Sequence, residues 1–136
     1  MTRILGLDPG ERRVGVAISD ESAVMAFPLV VLAAHPRTAL AAELRRLCVE
    51  KKVGRIVVGL PVRTDGAEGH AAAAARVFAG WVHEVTGLPV ALWDERFTTL
   101  SAEHALIEAG VRRRERRGAV DKLAAQILLQ HYLDSQ

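Results

Sequence analysis

The segment that most constrains the fold of this chain is Ile4–Asp20, which reads ILGLDPGERRVGVAISD. Its second half alternates strictly between β-branched residues (Val14, Val16 and Ile18) and small ones (Gly15, Ala17 and Ser19). This period of two predicts a β-strand with two different faces. A first short strand over residues 4–7 leads into Asp8, and Pro9-Gly10 ends it at once. The segment therefore predicts a β-hairpin whose first strand ends in an acid.

Asp8 has two interpretations at this point. It lies on the same face of its strand as Gly6, and an acid that ends an apolar strand is costly unless a cation lies nearby. Alternatively, Asp8 forms a hydrogen-bonded turn before Pro9-Gly10. The hairpin sequence alone leaves both open.

The composition limits the class of protein. The chain has 136 residues, of which half are hydrophobic and a quarter are charged, so we expect one globular domain over residues 1–136. No apolar run approaches the roughly 20 residues of a membrane span, and the N-terminus has no charged-then-apolar leader. The single cysteine, Cys48, fits a reducing compartment. These features predict a cytoplasmic protein without membrane association.

The rest of the chain predicts a mixed α/β sheet. A third strand over 24–32 carries Pro28, which favours an edge position. The further predicted elements are a helix to about Lys52, a strand at 55–59, a helix at 70–85, a strand at 88–93, a helix ending at Gly110, a charged connector at 112–118 and a helix at 120–133. A meander followed by βαβα units, with right-handed crossovers, gives the strand order 3-2-1-4-5 with helices on both faces.

Acidic residues follow the parallel strands of this predicted sheet. The carboxyl ends of such strands meet at one edge, where functional groups collect. Those ends carry Asp8, the loop 60–69, and Asp94-Glu95-Arg96. Asp94 and Glu95 point to opposite faces of a strand, so only one of them can share a site with Asp8.

A third acid, Asp121, comes near the predicted start of the last helix. Residues at helical spacings of three, four and seven from it are Ala124, Ala125 and Leu128, which places Asp121 on the buried face. The two alanines allow this helix to approach the small face of the hairpin closely. The alternative is a first-turn acid that interacts favourably with the helix dipole.

Three acids gathered at one point repel one another unless they share a cation. Hard divalent cations with oxygen ligands resolve this repulsion, and a set without His or Cys suits Mg²⁺ or Mn²⁺ rather than Zn²⁺. Two such ions about 4 Å apart can activate a water and stabilise the leaving oxygen in phosphodiester hydrolysis.

Four blocks of the chain read GLDPGERRVGVAISD, IVVGLP followed by DG, WDERFTT and VDKLAAQILLQHYLD. In order and over essentially the whole chain they resemble the YqgF family, whose members are called pre-16S rRNA nucleases or Holliday junction resolvase-like proteins. The resemblance implies a ribonuclease H-like fold, and Asp8, Glu95 and Asp121 as catalytic, metal-binding acids. One departure is Arg63-Thr64, where members usually carry Asn-Met, so the contacts of that loop are not carried over.

Arginines are the candidate nucleic-acid-binding residues. Five of them fall within six positions, namely Arg112, Arg113, Arg114, Arg116 and Arg117. Such a run near a carboxylate–metal centre is typical of a phosphate clamp, although a solvated charged loop has the same composition. Arg96 follows Glu95 and is a second candidate for a phosphate contact. Arg12 and Arg13, in the hairpin loop, are weaker candidates.

Four functions fit these residues. The first, which the resemblance implies, is a metal-dependent endonuclease that processes the 5′ end of pre-16S rRNA, with structured or single-stranded RNA and a pre-ribosomal particle as partners. The second is a resolvase of four-way DNA junctions, which needs a homodimer rather than a monomer. The third is a nucleotide-binding phosphotransfer domain, but that class needs two such domains. The fourth, a catalytically silent binding module, conflicts with acids at all three positions.

Overall fold

A computed structural model describes residues 2–61, 68–94 and 113–136 as a five-stranded sheet with helices on both faces. The strands and helices are β1 (Arg3–Pro9), β2 (Arg13–Ser19), β3 (Ala26–Ala33), α1 (Arg37–Glu50), β4 (Val53–Leu60), α2 (His70–Thr86), β5 (Val90–Asp94) and α3 (Arg113–Asp134). The strand order is β3-β2-β1-β4-β5, with β1, β4 and β5 parallel. The predicted fold is confirmed. The helix predicted to end at Gly110 lies outside the described residues.

The two faces of the sheet differ in the size of their side chains. Helices α1 and α2 pack against the face that carries the branched residues of the strands, including Leu5, Leu7, Val16 and Ile56. Helix α3 packs against the other face, where Ala17 and Val57 lie. Small residues at this second face allow α3 to lie unusually close to β1 and β2. None of the described helices combines the length and apolar character that a bilayer crossing requires.

The prediction of a charged connector before the last helix was wrong. Residues 113–118 already belong to α3, which begins at Arg113 rather than near Val120. Arginine and glutamate are among the better helix formers, and one internal glycine, Gly118, costs only about 1 kcal/mol relative to alanine. High charge density therefore does not distinguish a loop from a helix, because charged side chains can face solvent from either.

Strand β3 forms one edge of the sheet, as its proline predicted. At its start, the Ala26 N–H donates to Gln130 Oε1 (2.8 Å), and the Ala26 carbonyl accepts from Gln126 Nε2 (3.1 Å). Pro28 has no N–H to offer. Side chains of α3 thus occupy backbone groups that an added strand would otherwise use.

The turn between β2 and β3 is closed by Asp20. Its Oδ1 accepts the backbone N–H groups of Val24 and Met25 at 2.8 and 3.1 Å. These two hydrogen bonds, that of Val24 first, hold the pKa of the Asp20 carboxyl below its ordinary value. Asp20 therefore has a structural role in this turn.

Candidate active site

Asp8 and Asp121 are both neighbours of Gly15. Asp8 pairs with Gly15 across the antiparallel β1–β2 ladder, so the two residues project to the same face of the sheet. A Cβ placed on Gly15 would overlap the Asp121 carbonyl oxygen and would lie 2.6 Å from its carbonyl carbon. The backbone of α3 at Asp121 therefore rests directly on Gly15. Both acids are neighbours of one glycine, on the same face of the sheet.

The sequence explains this close approach. Asp8, at the end of β1, and Gly6 alternate with the branched residues that face the main core, and Gly15 faces the same way from β2. Further along α3, a Cβ on Gly6 would lie 2.9 Å from Leu129 Cβ. The small face of the hairpin thus accepts the helix along two of its turns, as the spacing of small residues predicted.

The position of Asp121 within α3 excludes the interpretation that it is a first-turn acid. Asp121 is the ninth residue of a helix that begins at Arg113, which places it in the third turn. The favourable interaction of an acid with the helix dipole is confined to the first turn. The alternative of a dipole-compensating acid is therefore wrong, because the helix starts earlier than the sequence indicated.

Arg13 forms an ion pair with one of these acids, Asp121. Its Nε donates to Asp121 Oδ2 at 2.6 Å, with the two side chains 42% and 25% exposed. An ion pair of this exposure contributes at most about 1 kcal/mol to stability. The ion pair matters because of its position: it places a positive charge on Asp121, one of the acids that the sequence predicted to bind a divalent metal. The sequence named Arg13 only as a weaker candidate for nucleic-acid binding. It did not predict the contact with Asp121, because the two residues are 108 positions apart.

Asp94, the last residue of β5, lies on the face of the sheet opposite to that of Asp8. Asp94 is in register with Leu60, and both follow the face covered by α1 and α2. Asp8 projects to the opposite face, so Asp94 does not belong to the same cluster. Glu95, the acid of this segment that was predicted to bind metal, lies outside the described residues, as do Arg96, Arg112 and the loop with Arg63-Thr64.

Two of the three predicted acids, Asp8 and Asp121, are among the described residues, and each is a neighbour of Gly15. Within residues 2–61, 68–94 and 113–136 there is no group of three or more His, Cys, Asp or Glu side chains that could hold a metal ion. Asp8 and Asp121 supply carboxylate oxygens, which are the hard ligands that Mg²⁺ and Mn²⁺ prefer. Arg113, Arg114, Arg116 and Arg117 belong to the first turns of α3, about one to two turns before Asp121.

The sheet order and the helices on both faces define a ribonuclease H-like fold. The same fold occurs in Thermus thermophilus RuvC in complex with a Holliday junction substrate, with a TM-score of 0.55 and 18% identity, over 99% of this chain and 95% of that chain. The fowlpox virus resolvase, in complex with Holliday junction DNA, matches with a TM-score of 0.57 and 11% identity, over 98% of each chain.

The chain belongs to the RuvX family, also called YqgF, as its sequence blocks predicted. The family model, described as "RuvX: Holliday junction resolvase", matches residues 2–135. A "Putative pre-16S rRNA nuclease" of Pelotomaculum thermopropionicum is 47% identical over 98% of this chain and 88% of that protein. A protein of the same name from Chloroflexus aggregans is 45% identical over 98% of this chain and 94% of its own length. The chain is thus a member of a family of nucleases.

Proposed function

We propose that this protein is a metal-dependent endonuclease that hydrolyses phosphodiester bonds of RNA and processes the 5′ end of pre-16S rRNA. The observation that carries the proposal is the juxtaposition of Asp8 and Asp121 on Gly15, at the carboxyl ends of the parallel strands. Relatives that share 42–47% of the sequence carry the name of a pre-16S rRNA nuclease, which supports the choice of substrate.

Asp8, Glu95 and Asp121 would hold one or two Mg²⁺ or Mn²⁺ ions. When bound, such ions lower the pKa of a water and stabilise the oxygen that leaves phosphorus. The protein's own contribution is to fix two carboxylates against a rigid sheet, so that little reorganisation is needed when the substrate binds. The arginines of the 112–117 run and Arg96 would contact substrate phosphates next to this centre.

Arg13 would be displaced from Asp121 when a divalent cation binds. Replacing Arg13 by Gln is therefore expected to tighten Mn²⁺ binding about two- to fivefold, because the ion no longer competes with an ion pair worth up to about 1 kcal/mol. Titration calorimetry of the metal-free protein measures this. Arg12→Gln is the matched control, since Arg12 is an exposed neighbour whose loss changes the net charge equally. Equal affinities of the two variants would show that the Arg13 pair does not oppose the ion.

A Holliday junction resolvase is the second candidate, favoured by the fold shared with two proteins solved with junction DNA. Symmetric cleavage of a junction requires two active sites, hence a dimer. Extension of the sheet at the start of β3 is disfavoured, because Gln126 and Gln130 occupy the Ala26 backbone groups and Pro28 has no donor. A dimer would have to use another surface.

The experiment that decides between these functions compares substrates side by side. Turnover of a single-stranded or locally unpaired RNA and of a DNA four-way junction is measured at equal salt with Mg²⁺, with Mn²⁺ and with EDTA, and the oligomeric state is determined by light scattering. We expect RNA cleavage that EDTA abolishes and that is at least as efficient as junction resolution. A stable dimer that makes symmetric paired nicks in the junction and leaves RNA uncut would refute the RNA nuclease and establish the resolvase.

A further inference from the structure

A groove of about 580 Å³ opens at the same edge of the sheet as Asp8, on the face covered by α1 and α2. Its walls come from the segment after β1, the segment before α1, the end of β4 and the first turns of α2, and include Pro9, His35, Arg37, Pro61, Ala74 and Phe78. The volume lies within the range of about 300–1,000 Å³ that is usual for ligand sites. Of the two predicted metal-binding acids that the structure describes, neither Asp8 nor Asp121 is among its lining residues, so we treat the groove as a separate feature of this edge.

Arg37 is the principal charged group of the groove. Its guanidinium carbon lies 5.1 Å from the Phe78 ring centroid and 4.9 Å from that of Trp81, so two aromatic rings hold the cation in place. Within the described part of the chain, no carboxylate forms an ion pair with Arg37. The planar group has five N–H donors, and the ring contacts do not use them. A fixed cation without an acidic partner is suited to an anionic ligand.

The other residues that line the groove form a polar part and an apolar part, which suit the phosphate and the base of a nucleotide. His35 and His70 also line the groove, and Glu11 is the one acid among the described lining residues. Pro9, Pro61 and alanines of α2 provide an apolar surface against which a base or ribose can pack. Arginine and aromatic side chains are the groups on which unpaired bases usually stack in single-stranded recognition.

The groove and the candidate active site meet at the end of β1, where consecutive residues belong to one and the other. Pro9, which lines it, directly follows Asp8, but neighbouring residues of a strand project to opposite faces. A polynucleotide whose phosphodiester lies at Asp8 and Asp121 therefore reaches the groove by crossing the end of β1. We infer that the groove binds an unpaired nucleotide adjacent to the scissile phosphodiester, with its phosphate on Arg37 and its base on the apolar wall. This inference rests on the proposed nuclease function and assigns a subsite to it.

Two pairs of variants test the subsite in the full chain. Arg37→Ala removes the cation, and Arg46→Ala, on the same helix but outside the groove, removes an equal charge. Ala74→Glu places a negative charge in the groove at an exposed helical position, and Ala74→Gln has nearly the same shape without the charge. The Glu and Gln variants therefore differ in electrostatics and hardly in packing.

The probe is a fluorescein-labelled single-stranded RNA of about 12 nucleotides, within the usual range of single-strand site sizes. Its affinity is measured by fluorescence anisotropy in EDTA, where no cleavage occurs. Arg37→Ala is expected to bind about tenfold more weakly than the wild type, through loss of one charge-assisted hydrogen bond of about 1.4 kcal/mol. Ala74→Glu is expected to weaken binding by about tenfold as well, because its carboxylate repels the phosphate. Arg46→Ala and Ala74→Gln should stay within about twofold of the wild type. Circular dichroism melting of each variant confirms that it is folded.

The outcomes separate this inference from the proposed function. If the wild type cleaves RNA but Arg37→Ala and Ala74→Glu bind like their controls, the subsite is overturned and the nuclease stands. If the variants lose RNA affinity but the wild type cleaves no RNA under any metal condition, the subsite stands and the proposed function fails. Absence of RNA binding by the wild type also overturns the subsite.

Discussion

Gly15→Ala is expected to lower the free energy of unfolding by about 3 kcal/mol or more, the upper range of the cost of overpacking. The added methyl group would overlap the Asp121 carbonyl and lie 3.3 Å from its Cα, and these are backbone atoms that cannot rotate away. Helix α3 must then move off the sheet. For a chain of this length the change corresponds to a melting temperature about 10 °C lower. Because the helix carries Asp121, binding of Mn²⁺ should weaken as well.

Two other glycines are matched controls for this change. Gly80 is exposed within α2, and a Cβ there meets nothing within 4 Å, so Gly80→Ala should stabilise the protein by about 0.5–1 kcal/mol through the helix propensity of alanine. Gly6→Ala meets the Leu129 side chain, starting at 2.9 Å, and should be intermediate. Urea unfolding gives the three free energies, and calorimetry gives the affinity for Mn²⁺. A Gly15→Ala protein as stable as Gly80→Ala would show that α3 does not rest on Gly15.

The fold was predictable because two kinds of periodicity are strong in this sequence. Strict alternation in β2 and the short apolar runs of β4 and β5 define the strands, and the rule for right-handed crossovers orders them. The same alternation predicted which face of β1 and β2 is small enough to accept a helix. The position of Asp121 over Gly15 follows from this alternation together with Ala124 and Ala125, which allow α3 to approach the hairpin closely.

The start of α3 was not predictable from the pattern used, because charge density alone does not distinguish a helix from a loop. The error had a consequence for the site, since a helix that starts near Val120 would put Asp121 in the first turn. Because the helix begins at Arg113, Asp121 lies in its third turn, which excludes a role for Asp121 in compensating the helix dipole. The correct boundary therefore strengthens the functional interpretation of this acid.

Contacts between residues that are far apart in the sequence could not be predicted either. Arg13 pairs with Asp121 across 108 positions, and Arg37 lies over Phe78 and Trp81 from a different helix. Neither contact has a local signal, because an exposed arginine near a turn or at a helix start is common in any sequence. Only the arrangement of α1 beside α2, and of α3 over the hairpin, brings these groups together.

Asp8→Asn is expected to reduce metal-dependent cleavage by at least about 10²–10³-fold, the effect of removing one preorganised electrostatic group from an active site. Asparagine retains the shape of the side chain but loses the charge that would hold a divalent cation next to Asp121. The fold should persist, because Asp8 lies at the end of β1 rather than in the main core. Because Arg13 already pairs with Asp121, loss of the Asp8 charge should relieve only a small repulsion in the metal-free protein, and its melting temperature should be unchanged or slightly higher.

The charge-matched control for Asp8→Asn is Asp134→Asn, an exposed acid at the far end of α3. Cleavage rates with Mn²⁺ and melting curves with and without the ion are measured for both variants. Added Mn²⁺ should raise the melting temperature of the wild type and of Asp134→Asn, since a ligand that binds only the folded state stabilises it. It should raise that of Asp8→Asn much less. Wild-type cleavage by Asp8→Asn would exclude Asp8 from the site, whereas lost cleavage with a melting temperature about 10 °C lower would indicate that its carboxylate is needed for the fold.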